Sequence, residues 1–300
     1  MAVETGRVVA SPPVMAVRQV VADYLDLTKP RVQTLLLLTT VTTMYVAGDP
    51  ALATVLLTCL GGALSAGGAG AINHYLDRDI DALMSRTADR PVPSGRVAPA
   101  AALAYGVGLG AASFALLATT VNVLAALLAL SGLVGYVVVY TLWLKRTTPQ
   151  NIVIGGAAGA VPPLVAWAAT TGSLEWGALY LFAIVFYWTP PHFWALSLLM
   201  KDEYAKAGVP MLPVVRGEVE TRRQIVLYAG LLVAVSLLPL AGGLFGWVYG
   251  AVAVTLGAAF VGLTVILRRR AERRWALRVY LFSLAYLAIL FVAMVIDVRV

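Results

Sequence analysis

The 300-residue chain holds one cysteine, Cys59, which excludes an intrachain disulfide framework and any cysteine-based metal cluster. Charge is scarce too: 12% of the residues are Asp, Glu, Lys or Arg, against roughly 25% in soluble globular domains. An ordinary soluble domain is thereby ruled out. The apolar and polar alternation that barrel strands require is also missing, and long apolar runs such as 51–64 and 230–240 stand in its place. What is abundant is hydrophobic side chains, at 60%. At about 20 residues per spanning helix, this predicts an all-α polytopic membrane bundle with short connections and no large domain outside the bilayer.

The apolar runs suggest nine spans, near 32–47, 51–72, 99–118, 122–142, 150–170, 177–199, 224–242, 246–267 and 277–296. With the odd-numbered connections outside, all of the 22 Lys and Arg except Arg299 fall on the inner side. That asymmetry is the one the positive-inside rule describes, and it predicts a cytoplasmic N-terminus and an external C-terminus. Among the acids, only Asp49, Glu175 and Asp297 lie outside. The net charge of +7 therefore follows topology and does not suggest a nucleic-acid partner. The cluster Arg268, Arg269, Arg270, Arg273 and Arg274 is expected to meet anionic membrane lipids, at about 1 kcal/mol per basic residue. The first thirty residues lack a secretory apolar core, and with Glu4, Asp23 and Asp26 they are too acidic for a typical mitochondrial presequence. Residues 1–26 are expected to form a cytoplasmic tail on a single transmembrane domain covering 1–300, in the plasma membrane of a prokaryote.

External connections such as Gly48-Asp49-Pro50 are short, whereas two internal ones, 73–97 and 201–223, are long and rich in ionisable residues. Ionisable groups near helix ends are the natural place to seek function on a membrane scaffold. If the second helix continues into the first of these loops, Asn73, Asp77 and Asp81 fall four residues apart on one face. Two carboxylates and an amide on one stripe suit a hard cation such as Mg²⁺, which commonly completes its shell with water and substrate phosphate. Arg86 and Arg90 follow as candidate phosphate partners. The alternative at this point is a solvated loop of mixed charge.

Asn73-x3-Asp77-x3-Asp81 followed by Arg90-Pro91-x-Pro93-Ser94-Gly95 resembles the first aspartate-rich motif of the UbiA superfamily of intramembrane prenyltransferases. Met84-x-Arg86-Thr87-x-x-Arg90-Pro91 is similar to the branch of it that farnesylates protohaem. Further runs agree: Leu27-Thr28-Lys29-Pro30-Arg31, Tyr140-Thr141 through Gly156, Trp188-Thr189-x-Pro191-His192-Phe193-Trp194, and Gly208 to Val215. The resemblance covers about 24–221 and implies a UbiA-type helical bundle facing the cytoplasm. It also implies Mg²⁺ on Asn73, Asp77 and Asp81 as the catalytic group, and transfer from farnesyl diphosphate to a vinyl of haem B, with water added, to give haem O. A haem A synthase or terminal-oxidase assembly protein would then be a partner. A related enzyme acting on an aromatic quinone precursor would share the first motif but not the 188–194 and 208–215 runs. A transporter would need acids near the bilayer midplane, commonly with an internal repeat, whereas here they cluster at helix ends.

In one place the chain departs from the superfamily pattern. Many members carry a second Asp-x3-Asp motif after the sixth helix, where this chain reads Met200-Lys201-Asp202-Glu203-Tyr204-Ala205-Lys206. Neighbouring helical residues point about 100° apart, so Asp202 and Glu203 are not expected to chelate one ion together. Lys201 and Lys206 then stand as candidate phosphate neutralisers, beside Lys145, to which the resemblance gives a diphosphate role. His192 and Trp194 are candidate haem contacts. A helix broken at Pro190-Pro191 would present His192 to a cavity, or the imidazole would bond a carbonyl freed by the prolines.

Overall fold

The computed structural model describes residues 14–300, so the first half of the expected N-terminal tail lies outside the described residues. The chain runs α1 (Val14–Leu27), α2 (Pro30–Ala47), α3 (Leu52–Leu76), α4 (Arg78–Leu83), α5 (Pro99–Thr120) and α6 (Val123–Val134). A π-helical segment (Gly135–Leu144) continues α6 into α7 (Lys145–Thr147). Next come α8 (Asn151–Gly159), α9 (Val161–Thr171), α10 (Trp176–Leu199), α11 (Lys201–Lys206), α12 (Leu212–Val215), α13 (Gly217–Ala241), α14 (Trp247–Arg270) and α15 (Arg273–Asp297). No strand occurs among the described residues.

Seven helical rods are long and apolar enough to cross a membrane: Leu52–Leu76, Pro99–Thr120, Val123–Thr147, Asn151–Thr171, Gly217–Ala241, Trp247–Arg270 and Arg273–Asp297. Nine spans were expected. The two that fall outside this set are α2, diluted by five threonines, and α10, diluted by Pro190, Pro191 and His192. Both still pack lengthwise in the bundle, α2 on α9 and α15, and α10 on α8, α13 and α15. The protein is a multi-span membrane protein.

Without a hydrophobic drive between helices in lipid, close approach depends on small residues. Gly68 of α3 and Gly106 of α5 meet backbone to backbone, since a Cβ on Gly68 would stand 2.7 Å from the Gly106 carbonyl oxygen. That crossing fixes the half of α3 that carries Asn73. Elsewhere the core is aromatic and aliphatic, with Tyr249, Phe260, Tyr286 and Phe291 fully buried among α10, α13, α14 and α15.

Within the segment expected as a tail lies α1, held to the bundle by Asp23 pairing with Arg96 at 2.9 Å and by Tyr24 edge-on to Tyr105. Two sequence expectations are corrected. The sixth expected span does not break at its prolines: α10 is continuous from Trp176 to Leu199. Pro190 and Pro191 withhold two donors, from the Phe186 and Tyr187 carbonyls, but the helix is clamped by α8, α13 and α15 packed along it. The second correction is at Asp77, where α3 ends and α4 begins one residue on. The ladder nevertheless carries through, as Asp77 N donates to Asn73 O at 2.8 Å and Asp81 N to Asp77 O at 2.7 Å. The four-residue spacing, and with it the shared face, survives the bend.

Candidate metal and diphosphate site

Asn73, Asp77 and Asp81 are all buried, at 3%, 1% and 3% exposure. Burying carboxylates is tolerated only if they are paired, and the pairing partners come from distant parts of the chain. Lys145 Nζ donates to Asp77 Oδ2 at 2.5 Å, and Arg146 stands 3.8 Å from Asp77 Oδ1. Arg90 Nη1 donates to Asp81 Oδ2 at 2.8 Å. Lys29 Nζ donates to Asn73 Oδ1 at 2.5 Å. Three cations thus hydrogen-bond two carboxylates and an amide, with Arg146 a fourth beside them, an arrangement suited to a polyanion.

Local sequence explains why each cation reaches the site. Pro30 disfavours right-handed helical geometry at the residue before it, and Lys29 takes the left-handed region at φ 54°, ψ 54°. The turn ends α1 and places the Lys29 side chain on Asn73. Burial, followed by the neighbouring cations Arg90 and Lys145, pushes the Lys29 ammonium down to about 7. Lys145 and Arg146 stand at the end of the π-helical segment, where the ladder is wound wider than in an α-helix. Arg146 also makes a two-pronged bond to Asp79, 2.7 Å on each branch, which holds that exposed carboxyl down to about 2.

Thr141 went unnoticed in the sequence, although it stands in a quoted run. It is fully buried, donates its hydroxyl hydrogen to the Tyr136 carbonyl at 2.9 Å, and accepts from Asn73 Nδ2 at 3.1 Å. Asn73 Nδ2 spends its other hydrogen on Asp77 Oδ2 at 2.6 Å. Both amide hydrogens are therefore committed, and the amide oxygen is turned toward Lys29. The i to i+5 bond from Thr141 to Tyr136 exists because the segment is π-helical, and no sequence period announces that. Thr141→Val removes the acceptor at nearly constant volume and is expected to raise the half-saturating Mg²⁺ concentration by roughly 10- to 100-fold, the usual range for a residue behind a metal ligand. Thr141→Ser is expected to restore it, as read by cation titration of both variants.

The oxygens fit a hard cation. Asp77 Oδ1 is enclosed with no hydrogen-bond partner, an expensive state for a carboxylate oxygen unless an ion or donor meets it. Among the described residues no three His, Cys, Asp or Glu side chains cluster as a complete metal cage. The site is one amide and two carboxylates, which suits Mg²⁺ that keeps water and substrate phosphate in its shell.

The other sequence candidates divide. Arg86 is exposed at the rim, near enough to Tyr204 to act on its hydroxyl electrostatically. Lys201 is paired with Glu218 at 3.2 Å, while Lys206 and Asp202 are exposed. Glu203 Oε2 accepts from the Ser85 backbone N–H at 2.6 Å, latching the second loop onto the first. The two acids therefore do different things. Glu203→Ala is expected to cost about 1 kcal/mol of loop docking, close to fivefold in kcat/KM, and Asp202→Ala less than about twofold, with protease cutting of the 84–97 loop as the check. Trp194 is buried edge-on against Tyr228 of α13. His192, two residues earlier, faces α15 instead. The two candidate haem contacts do not share a surface.

The sequence pattern of the UbiA prenyltransferase family matches residues 36–294. The chain is 56% identical over 277 residues to a protein named protoheme IX farnesyltransferase from Roseiflexus sp. (strain RS-1), covering 92% of this chain and 52% of that one. It thus spans about half the length of that relative. A protein of the same name from Symbiobacterium thermophilum is 55% identical over 284 residues, covering 93% of this chain and 95% of its own. The fold is like that of a digeranylgeranylglyceryl phosphate synthase, with TM-score 0.77, 18% identity, and 93% and 98% of the two chains covered. It is also like a UbiA homolog from Archaeoglobus fulgidus bound to DMAPP and Mg²⁺, with TM-score 0.65, 17% identity, and 91% and 99% covered. The expected helical architecture and the family resemblance are both borne out: the chain belongs to the UbiA prenyltransferase family.

Proposed function

We propose that this chain transfers the farnesyl group of farnesyl diphosphate to a vinyl group of protohaem IX, with addition of water, giving haem O. The observation that carries the reading is the buried stripe of Asn73, Asp77 and Asp81 faced by Lys29, Arg90 and Lys145. It is supported by the names of relatives more than half identical to this chain, one of them matched along nearly its whole length. The substrates, Mg²⁺, the single-domain organisation, the prokaryotic plasma membrane, the cytoplasmic placing of the loop-rich end and hand-over of product to a haem A synthase or oxidase-assembly protein belong to the same proposal.

A porphyrin vinyl is a weak nucleophile, so the donor's C1 must approach an allylic cation before it is attacked. The barrier is dominated by the charge gathering on the departing diphosphate, which fixed cations and a metal stabilise. Asn73, Asp77 and Asp81 would hold Mg²⁺, which when bound supplies charge neutralisation to the leaving group. Lys145 and Arg90, paired with Asp77 and Asp81 in the structure, turn to phosphate oxygens when the donor arrives. Lys29 adds a third cation, and Arg86 at the rim a fourth. The farnesyl chain and its cation lie in the apolar interior, where water is scarce and premature hydrolysis is slow.

The test is expression in a strain that lacks haem O, followed by extraction of membrane porphyrins. Haem O is the expected product. Alkylated aromatic acid with unaltered protohaem would transfer the reading to a quinone precursor as acceptor.

A further inference from the structure

His192 is buried at 5% exposure and, unlike His74, has a hydrogen-bond partner. Its Nδ1 lies 2.6 Å from Ser283 Oγ. Ser283 Oγ has one hydrogen, and that hydrogen is committed to the Tyr280 carbonyl at 2.6 Å. The serine can therefore only accept from the imidazole, so Nδ1 carries the ring proton and Nε2 the free lone pair. Trp188 Nε1 donates to the Ser283 carbonyl at 2.7 Å, tying α10 to the same turn of α15. The imidazole stacks on Trp188 at 4.2 Å and on Tyr280 at 4.8 Å between ring centres, which fixes its plane. Nε2 has no partner among the described residues and is not sealed off, unlike both ring nitrogens of His74.

A neutral imidazole with Nδ1–H held by an acceptor is the form in which histidine binds a metal, and the second bond raises the basicity of the ligating nitrogen. Iron accepts such a nitrogen readily. His192 stands seven residues in from the end of α10 at Leu199, roughly 10 Å at 1.5 Å per residue. The aspartate stripe lies at the end of α3. A macrocycle bound through His192 would sit deeper in the bundle than a diphosphate at that stripe.

We infer that His192 Nε2 binds the iron of the porphyrin substrate and that Ser283 is the positioning residue that sets its tautomer and basicity. This rests on protohaem being the acceptor. Purified full-length protein in lipid nanodiscs is titrated with ferric protohaem, then reduced, and the iron–histidine stretch is read by resonance Raman. Wild type is expected to show that band. His192→Gly is expected to lose it, to bind protohaem at least roughly tenfold more weakly, and to regain it on addition of free imidazole. Ser283→Ala is expected to keep the band but shift it to lower frequency, with Ser283→Thr restoring it, while affinity for farnesyl thiodiphosphate stays within about twofold in every variant. Unchanged spectra in His192→Gly, or an unmoved band in Ser283→Ala, would overturn the assignment even if the wild type makes haem O. A wild type that neither binds nor alkylates protohaem would overturn the acceptor reading and this inference together.

Discussion

Asp77→Asn is expected to lower turnover by at least about 10²- to 10³-fold, the cost seen when one electrostatic stabiliser of a developing anion is lost, while the protein still inserts and folds. Asparagine has the shape of aspartate and can still accept from Asn73 and Lys145, so the packing at this 1%-exposed position is kept. What disappears is the negative charge that compensates Lys145 and recruits a cation. Asp81→Asn is expected to be of the same order, since Arg90 plays toward Asp81 the part Lys145 plays toward Asp77. Steady-state turnover, together with direct Mn²⁺ binding by electron paramagnetic resonance, checks both. Loss of turnover with unaltered cation binding would move Asp77 out of the metal site.

Lys145→Ala is expected to separate two quantities that Asp77→Asn lowers together. In the structure the Lys145 ammonium occupies Asp77 Oδ2 at 2.5 Å, so it competes with any cation for that oxygen. Its removal is expected to tighten Mn²⁺ binding in the absence of donor. The same change strips the leaving diphosphate of a fixed cation and is expected to lower kcat/KM by about 10²-fold. Arginine cannot mimic a compact ammonium at this site, so Lys145→Arg should recover only part of the loss. Weaker Mn²⁺ binding in Lys145→Ala would mean that the lysine supports the metal site rather than competing with it.

The helical architecture was legible because composition is imposed by the bilayer. An apolar run cannot be hidden in such a sequence. The stripe was legible for a related reason: Asn73, Asp77 and Asp81 share a face at any helical geometry close to 3.6 residues per turn, even across the bend at Asp77. The contacts made across the fold were not legible. Nothing local says that Lys29, more than forty residues before Asn73, turns inward in a left-handed conformation, or that Glu203 serves as a latch on Ser85 N–H. Thr141 and Ser283 were invisible for the same reason, being small hydroxyls whose role depends on a neighbour brought by tertiary packing. The continuity of α10 through Pro190 and Pro191 went against the local signal because the surrounding helices hold what the two missing donors would release.

The most direct measurement uses purified protein in nanodiscs with protohaem and farnesyl diphosphate labelled at C1, with Mg²⁺ or with excess chelator. With Mg²⁺, the label is expected in a porphyrin heavier by one farnesyl group and one hydroxyl, the latter from water whose second hydrogen leaves as a proton, in step with diphosphate release, and both are expected to stop in chelator. Diphosphate release with no label in the porphyrin, or undiminished product in chelator, would contradict it.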